Sequence, residues 1–129
     1  MRLNQVTVTV RDADNAVSFY ETLGLRLIVK SDHYARFLCP DGDGTFSIHV
    51  TDAPIDRSTV VYFECEDLDS TVRLLKSSGL VFESDPKDQP WLWREAYLCD
   101  PSGNRICLFY GGKNRIDPPW RIPESRDNK

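Results

Sequence analysis

The sequence has no surplus of basic residues: 16 lysines and arginines stand against 20 aspartates and glutamates, a net charge of -4. That leaves no electrostatic footprint for nucleic acid and no polybasic stretch for a membrane surface. Long apolar runs are missing as well. The opening MRLNQVTVTV lacks the uninterrupted hydrophobic segment of a secretion signal, and no stretch approaches the length of a membrane span. The four cysteines, Cys39, Cys65, Cys99 and Cys107, form no CxxC pair and no zinc-finger spacing. These absences lead us to expect a cytoplasmic chain with free, buried thiols. What is present is ordinary for a soluble protein. At 129 residues, 40% hydrophobic and 28% charged, the chain has room for one domain with a real core.

One unit is written twice. QVTVTVRDADNAVSFYETLGL starts at Gln5 and VVYFECEDLDSTVRLLKSSGL at Val60, so Asp12 matches Asp67, Asp14 matches Asp69, and Gly24 matches Gly79. Each copy reads as an alternating strand, an acidic helix start, about three helical turns and a glycine stop. Ala16, Phe19, Tyr20 and Leu23 give the first helix its apolar stripe, and Val72, Leu74 and Leu75 the second. Three strands are expected to follow each helix: LRLIV, HYARFLCP and TFSIHV in the first copy, LVFES, WREAYLCD and RICLFY in the second. Residues 1–111 thus read as one domain of two modules, 3–50 and 59–110, joined by a linker over 51–58. Residues 112–129 read as a polar tail with a solvated end, ESRDNK, and with Trp120 docking on the body or on a partner subunit.

Strand alternation separates two faces. Val6, Val8 and Val10, with Phe46, Ile48 and Val50, form apolar rows that should bury the helices; Val61, Phe63 and Cys65 repeat them, as do Ile106, Leu108 and Tyr110. The opposite face mixes Gln5, Thr7, Thr9, Ser47 and His49 with Val60, Tyr62, Glu64, Arg105, Cys107 and Phe109. A face of that composition suits a small-molecule cavity better than a dry core. Cys107 is open to three readings: filler in a pocket wall, metal ligand, or nucleophile. The last requires a depressed pKa, which Arg105 would favour if close. Trp91 and Trp93 precede Glu95 in WLWRE. They suit stacking on a planar or cationic ligand, and equally a hydrophobic plug or a dimer contact. His33 is a further acid–base candidate.

The paired β-α-β-β-β units, the LNQVTVTVRDADNAVSFYETLGL stretch and the DPSGNRI turn resemble the vicinal-oxygen-chelate superfamily. That group includes the glyoxalases, the extradiol dioxygenases, and the bleomycin- and fosfomycin-resistance proteins. The resemblance covers roughly residues 3–110. It implies an α+β fold in which two modules curve into a U-shaped mixed sheet around a cavity, with helices outside and a homodimer completing it. It also implies metal ligands at cavity-facing positions on the first, fourth, fifth and eighth strands, which here hold Gln5, His49, Val60 and Cys107. Val60 has no donor atom, and Cys107 stands where a glutamate is usual. Gln5, His49 and Cys107 make an N/O/S set that suits zinc better than magnesium or manganese. The implied cofactor is therefore none, or one divalent metal. The function that follows is binding of a small organic molecule without the full metal site, in a pocket of Gln5, Thr7, His49, Val60, Tyr62, Trp91, Trp93, Arg105 and Cys107. The competing expectation is a metal-dependent lyase or isomerase of the glyoxalase type, with Glu64 or Glu95 moving a proton. Extradiol dioxygenase chemistry fits less well, because its iron sites favour two histidines and a carboxylate.

Overall fold

Asp12 and Asp67 start the two main helices as the duplicated pattern requires. In the computed structural model, which describes residues 1–124, helix α1 spans Ala13–Leu23 and helix α2 spans Leu68–Ser77. The Asp12 carboxylate accepts from the Asn15 amide at 2.8 Å and Asp67 from the Ser70 amide at 3.2 Å. Each cap satisfies a helix-end donor and contributes about 1 kcal/mol. Helix α1 stops at Gly24, whose φ of 117° lies in the left-handed region that favours glycine. Helix α2 is capped by Ser78, with Gly79 following at φ 100°.

The strands are β1 (Gln5–Val10), β2 (Arg26–Lys30), β3 (Tyr34–Leu38), β4 (Thr45–Val50), β5 (Val60–Glu64), β6 (Lys87–Asp88), β7 (Arg94–Cys99) and β8 (Arg105–Tyr110). They divide into two four-stranded mixed sheets, ordered β1-β4-β3-β2 and β5-β8-β7-β6. In both, the first and fourth strands pair in parallel and the remaining pairs are antiparallel. Order and sense are the same in the two halves, so the sequence duplication is a structural one. A short helix α3, Lys113–Ile116, follows the second sheet. No described helix is long and apolar enough to cross a membrane.

Some expectations need correction: Tyr110 is not in the buried row but 44% exposed, and Cys99 is an exposed thiol. LVFES does not form a strand: only Phe82 makes an isolated bridge, to Leu98, and the short β6 takes the edge position instead. Glu83, Ser84 and Asp85 are poor strand formers, and Pro86 has no amide to donate to a ladder. Leu74 is not in the α2 stripe but 66% exposed; the buried residues are Leu68, Val72 and Leu75, spaced as one helical face. Trp120 is 57% exposed, so it does not dock on the body. Most of the ESRDNK run, residues 125–129, lies outside the described residues.

Each helix packs on its own sheet, and the buried side chains of both halves form one core. Tyr20, Phe37 and Phe46 are its largest members. Two joints connect the halves. Phe46 meets Phe63 edge-on with ring centroids 5.8 Å apart. The 100–104 turn between β7 and β8 reaches across to the first half: Tyr20 Oη donates to Asp100 Oδ2 at 2.7 Å, and Asn104 Nδ2 donates to the Thr9 carbonyl at 2.8 Å. Asp100, 4% exposed, also accepts from the Ser102 and Asn104 amides and from Asn104 Nδ2.

Candidate functional site

Strand register sets three rows on the face of the second sheet turned away from α2. Val60, Arg105 and Cys99 lie side by side; so do Tyr62, Cys107 and Tyr97; so do Glu64, Phe109 and Glu95. Six of the expected site residues therefore share this face: Val60, Tyr62, Glu64, Glu95, Arg105 and Cys107. Tyr97 is a site residue that the sequence reading missed, although its place two residues from Glu95 on an alternating strand put it on the same face.

Glu95 is the unusual member. It is 2% exposed, and its carboxylate accepts from Trp91 Nε1 at 2.8 Å and from Tyr97 Oη at 3.1 Å. Both donors are neutral, and no described cationic side chain forms an ion pair with it. A buried carboxylate without a counter-charge is costly, and neutral donors offset only part of that. Burial raises the pKa of Tyr97, with the Tyr62 hydroxyl and the Cys107 and Glu95 charges adding to it. Its hydroxyl thus remains a donor. Above the carboxylate, Trp91 is 45% exposed, and Tyr62 equally so.

Cys107 is fully buried, and its thiol is pushed up to about 12, first by burial and then by the Glu95 charge. Arg105 pulls the other way and is outweighed. Its guanidinium is spent elsewhere, 4.1 Å over the Tyr97 ring and 3.2 Å from Glu83. Cys107 is therefore a buried, protonated thiol; a nucleophile would need the thiolate. Among the four free cysteines Cys99 alone is exposed. Iodoacetamide at pH 8 should label Cys99 first and leave Cys107 unlabelled until urea unfolds the chain. Peptide mass spectrometry reads both; native labelling of Cys107 at pH 8 would contradict the assignment.

Two other candidates have structural duties. Glu64 Oε2 accepts from the Gly111 and Gly112 amides, both at 2.9 Å, and Oε1 lies 3.5 Å from Arg115 Nε. It clamps the chain after β8. Trp93 stacks on Phe109 at 4.5 Å and meets Tyr62 edge-on at 5.9 Å, while its indole donates to the Asn114 carbonyl. Gly111 makes room for that indole, since a Cβ there would come within 3.0 Å of Nε1. Of the two tryptophans, Trp93 is the one packed among its neighbours and Trp91 the more exposed. Between them Leu92 holds φ at 68°, a conformation uncommon for leucine, which turns Trp91 back over the strand.

The first sheet carries the remaining candidates. Gln5 Oε1 accepts from Thr45 Oγ1 at 2.8 Å, and Thr7 bonds Ser47, which is fully buried. Arg36 Nε donates to Tyr34 Oη at 2.9 Å and lowers the Tyr34 pKa. His49 is exposed and lies opposite Thr9 and Tyr34; His33 precedes β3 and is exposed as well. In the parallel ladder Gln5 pairs with Thr45 and His49 with Thr9. Gln5 and His49 thus stand four residues apart along paired strands, about 13 Å by strand rise. One ion bonds its ligands at about 2 Å, so the chain does not bring this pair together. No described cluster of three or more His, Cys, Asp or Glu side chains suits a metal ion. With Gln5 engaged, His49 distant and Cys107 protonated, the residues present do not fit the implied zinc.

Against known proteins, the model of the Glyoxalase/Bleomycin resistance protein/Dioxygenase superfamily matches residues 2–108. A protein of Mycolicibacterium smegmatis, described as uncharacterized, is 28% identical over 115 residues, 88% of this chain and 96% of that one. A glyoxalase/bleomycin resistance protein/dioxygenase from Nocardioides superposes with a TM-score of 0.75 at 23% identity, over 95% of this chain and 90% of its own. A bleomycin-binding protein complexed with bleomycin gives 0.71 at 21% identity, over 87% and 99%. Lactoylglutathione lyase from Agrobacterium tumefaciens gives 0.70 at 20%, over 85% and 93%. At these identities the structural likeness speaks for the fold.

Proposed function

The chain belongs to the glyoxalase/bleomycin resistance protein/dioxygenase superfamily, and from that premise we propose that it binds a small organic molecule on the face of the second sheet, without a metal. The observation that carries the reading is Glu95: a carboxylate 2% exposed, held by neutral donors, directly beneath the half-exposed Trp91. Trp91 and Tyr62 offer apolar faces to stack on, and Glu95 and Tyr97 supply the few polar groups that orient a ligand. A neighbour of the same fold is a bleomycin-binding protein, which supports a binding role. Lyase chemistry of the glyoxalase type is the competing reading, supported by the Agrobacterium neighbour. It requires a metal, and the donor set disfavours one.

A thermal-shift library of small organic molecules is the test. At a hundredfold excess over Kd a true ligand should stabilise the protein by about 2.7 kcal/mol, and Trp91→Ala and Glu95→Gln should each remove most of that shift. Elemental analysis after zinc loading and gel filtration should find no stoichiometric zinc. One equivalent of zinc lost in His49→Ala would favour the lyase. A library with no saturable hit would sink the binding reading. We infer also that a second copy covers the exposed sheet faces, giving a homodimer; light scattering at the single-chain mass would exclude that.

A further inference from the structure

A cleft of about 920 Å³ runs between the two halves; from the rows of the second sheet it takes Tyr62 and Glu64 but not Glu95, Tyr97 or Cys107. Of the pocket residues expected from sequence it takes only Tyr62, at its border. One wall is the end of α1 and the β3–β4 loop; the other is β5 with the segment leading into α2. Its size is that of a small-molecule site. Leu23, Leu25, Phe63 and Leu108 give it an apolar floor.

The charge on its rim is of one sign. Asp41, Glu64 and Glu66 line the cleft, and no lysine, arginine or histidine does. Glu64 is already bound by two amides and lies near Arg115. Asp41 and Glu66 take part in none of the described side-chain hydrogen bonds or ion pairs, and they approach from opposite halves. Cys65 sits inside the cleft and reports its field. Its thiol is pushed up by burial first, then by the charges of Glu64 and Asp41, so carboxylates from both halves act on one point. An anionic ligand would be repelled here. A neutral one would leave the carboxylates unused.

We propose that this cleft binds an amphiphilic organic cation, its apolar body on the Leu23, Leu25, Phe63 and Leu108 floor and its ammonium group between Asp41 and Glu66. The charge complementarity, and the absence of any cation in the lining, select that class. The site shares Tyr62 with the one proposed for Trp91 and Glu95 but neither of that site's polar groups, so the two can be tested independently.

Isothermal titration with 4-phenylbutyltrimethylammonium, with 4-phenylbutan-1-ol as neutral analogue, tests it. At low salt the cation should bind about tenfold tighter than the alcohol, and 0.5 M salt should remove most of the difference. The double variant Asp41→Asn/Glu66→Gln should lose the cation's advantage and keep the alcohol's affinity. Both positions are exposed, so the fold should tolerate these changes. Equal affinities, an unaffected double variant, or no saturable binding of the cation would overturn the proposal. Trp91→Ala should leave cation binding unchanged. If it abolishes binding instead, the cation sits on the sheet face, and this cleft is excluded while the Trp91 reading survives.

Discussion

Asp100→Ala should lower the free energy of unfolding by about 3–5 kcal/mol, a large part of the 5–15 kcal/mol typical of a domain. The carboxylate gathers four donors at the junction of the halves: Tyr20 Oη, the Ser102 and Asn104 amides, and Asn104 Nδ2. Tyr20 is fully buried and Asn104 7% exposed, so water does not replace the lost acceptor. Each stranded donor costs about 1–3 kcal/mol. Tyr20→Phe removes the donor and not the acceptor; it should cost about 1 kcal/mol, because Asp100 keeps three partners. The double variant should then lose less than the sum, as expected for groups in contact. Urea denaturation followed by far-ultraviolet circular dichroism measures all three. A loss below 1 kcal/mol for Asp100→Ala would show that the turn is not the clamp described.

Phe46→Ala should cost a similar amount, about 3–5 kcal/mol. The ring is 2% exposed and lies 4.6 Å from Tyr20, 6.4 Å from Phe37 and 5.8 Å from Phe63, centroid to centroid. Truncation leaves a cavity that stiff neighbours cannot fill, since Tyr20 is also held by Asp100. Phe46→Leu should recover most of the loss, because it refills most of the volume. Phe63→Ala belongs in the same experiment: if Phe46–Phe63 is the second joint, the paired truncation should be sub-additive. Additive losses would mean that the Phe46–Phe63 contact is not a joint.

What sequence could deliver was the local chemistry. Asp12 and Asp67 cap helices by side chains bonding three residues on, and Gly24 ends one by its backbone freedom; these signals need no tertiary context. Alternation likewise placed Ser47, Tyr62, Cys107 and Phe109 on faces opposite the helices. It failed where the partner decides. Leu74 and Leu75 are equally apolar, and only the sheet beneath chooses Leu75. LVFES alternates well enough at its start, yet the polar residues and proline that follow leave just one bridge. In the site, Glu95 was recognisable as a carboxylate but not as a buried one. Its bond to Trp91 depends on the backbone turn at Leu92, which no residue pattern encodes. The Gln5–His49 pair failed for a metrical reason: both face the same way, but the parallel register separates them. The Tyr20–Asp100 bond spans 80 positions of chain and was beyond any local reading.

The missing strand in the second half has a consequence for how this molecule can change over generations. Residues 80–92 are tied to the sheet by one bridge, a two-residue ladder and a few turn and side-chain bonds, and they carry the tryptophan that covers Glu95. The neighbouring 100–104 turn fastens the halves together. Under the proposed function, recognition and architecture are thus written in separate stretches of one module. On that proposal, mutations can retune what the protein grips while its frame is left alone, and the twin module, with its second strand intact, holds the frame steady meanwhile.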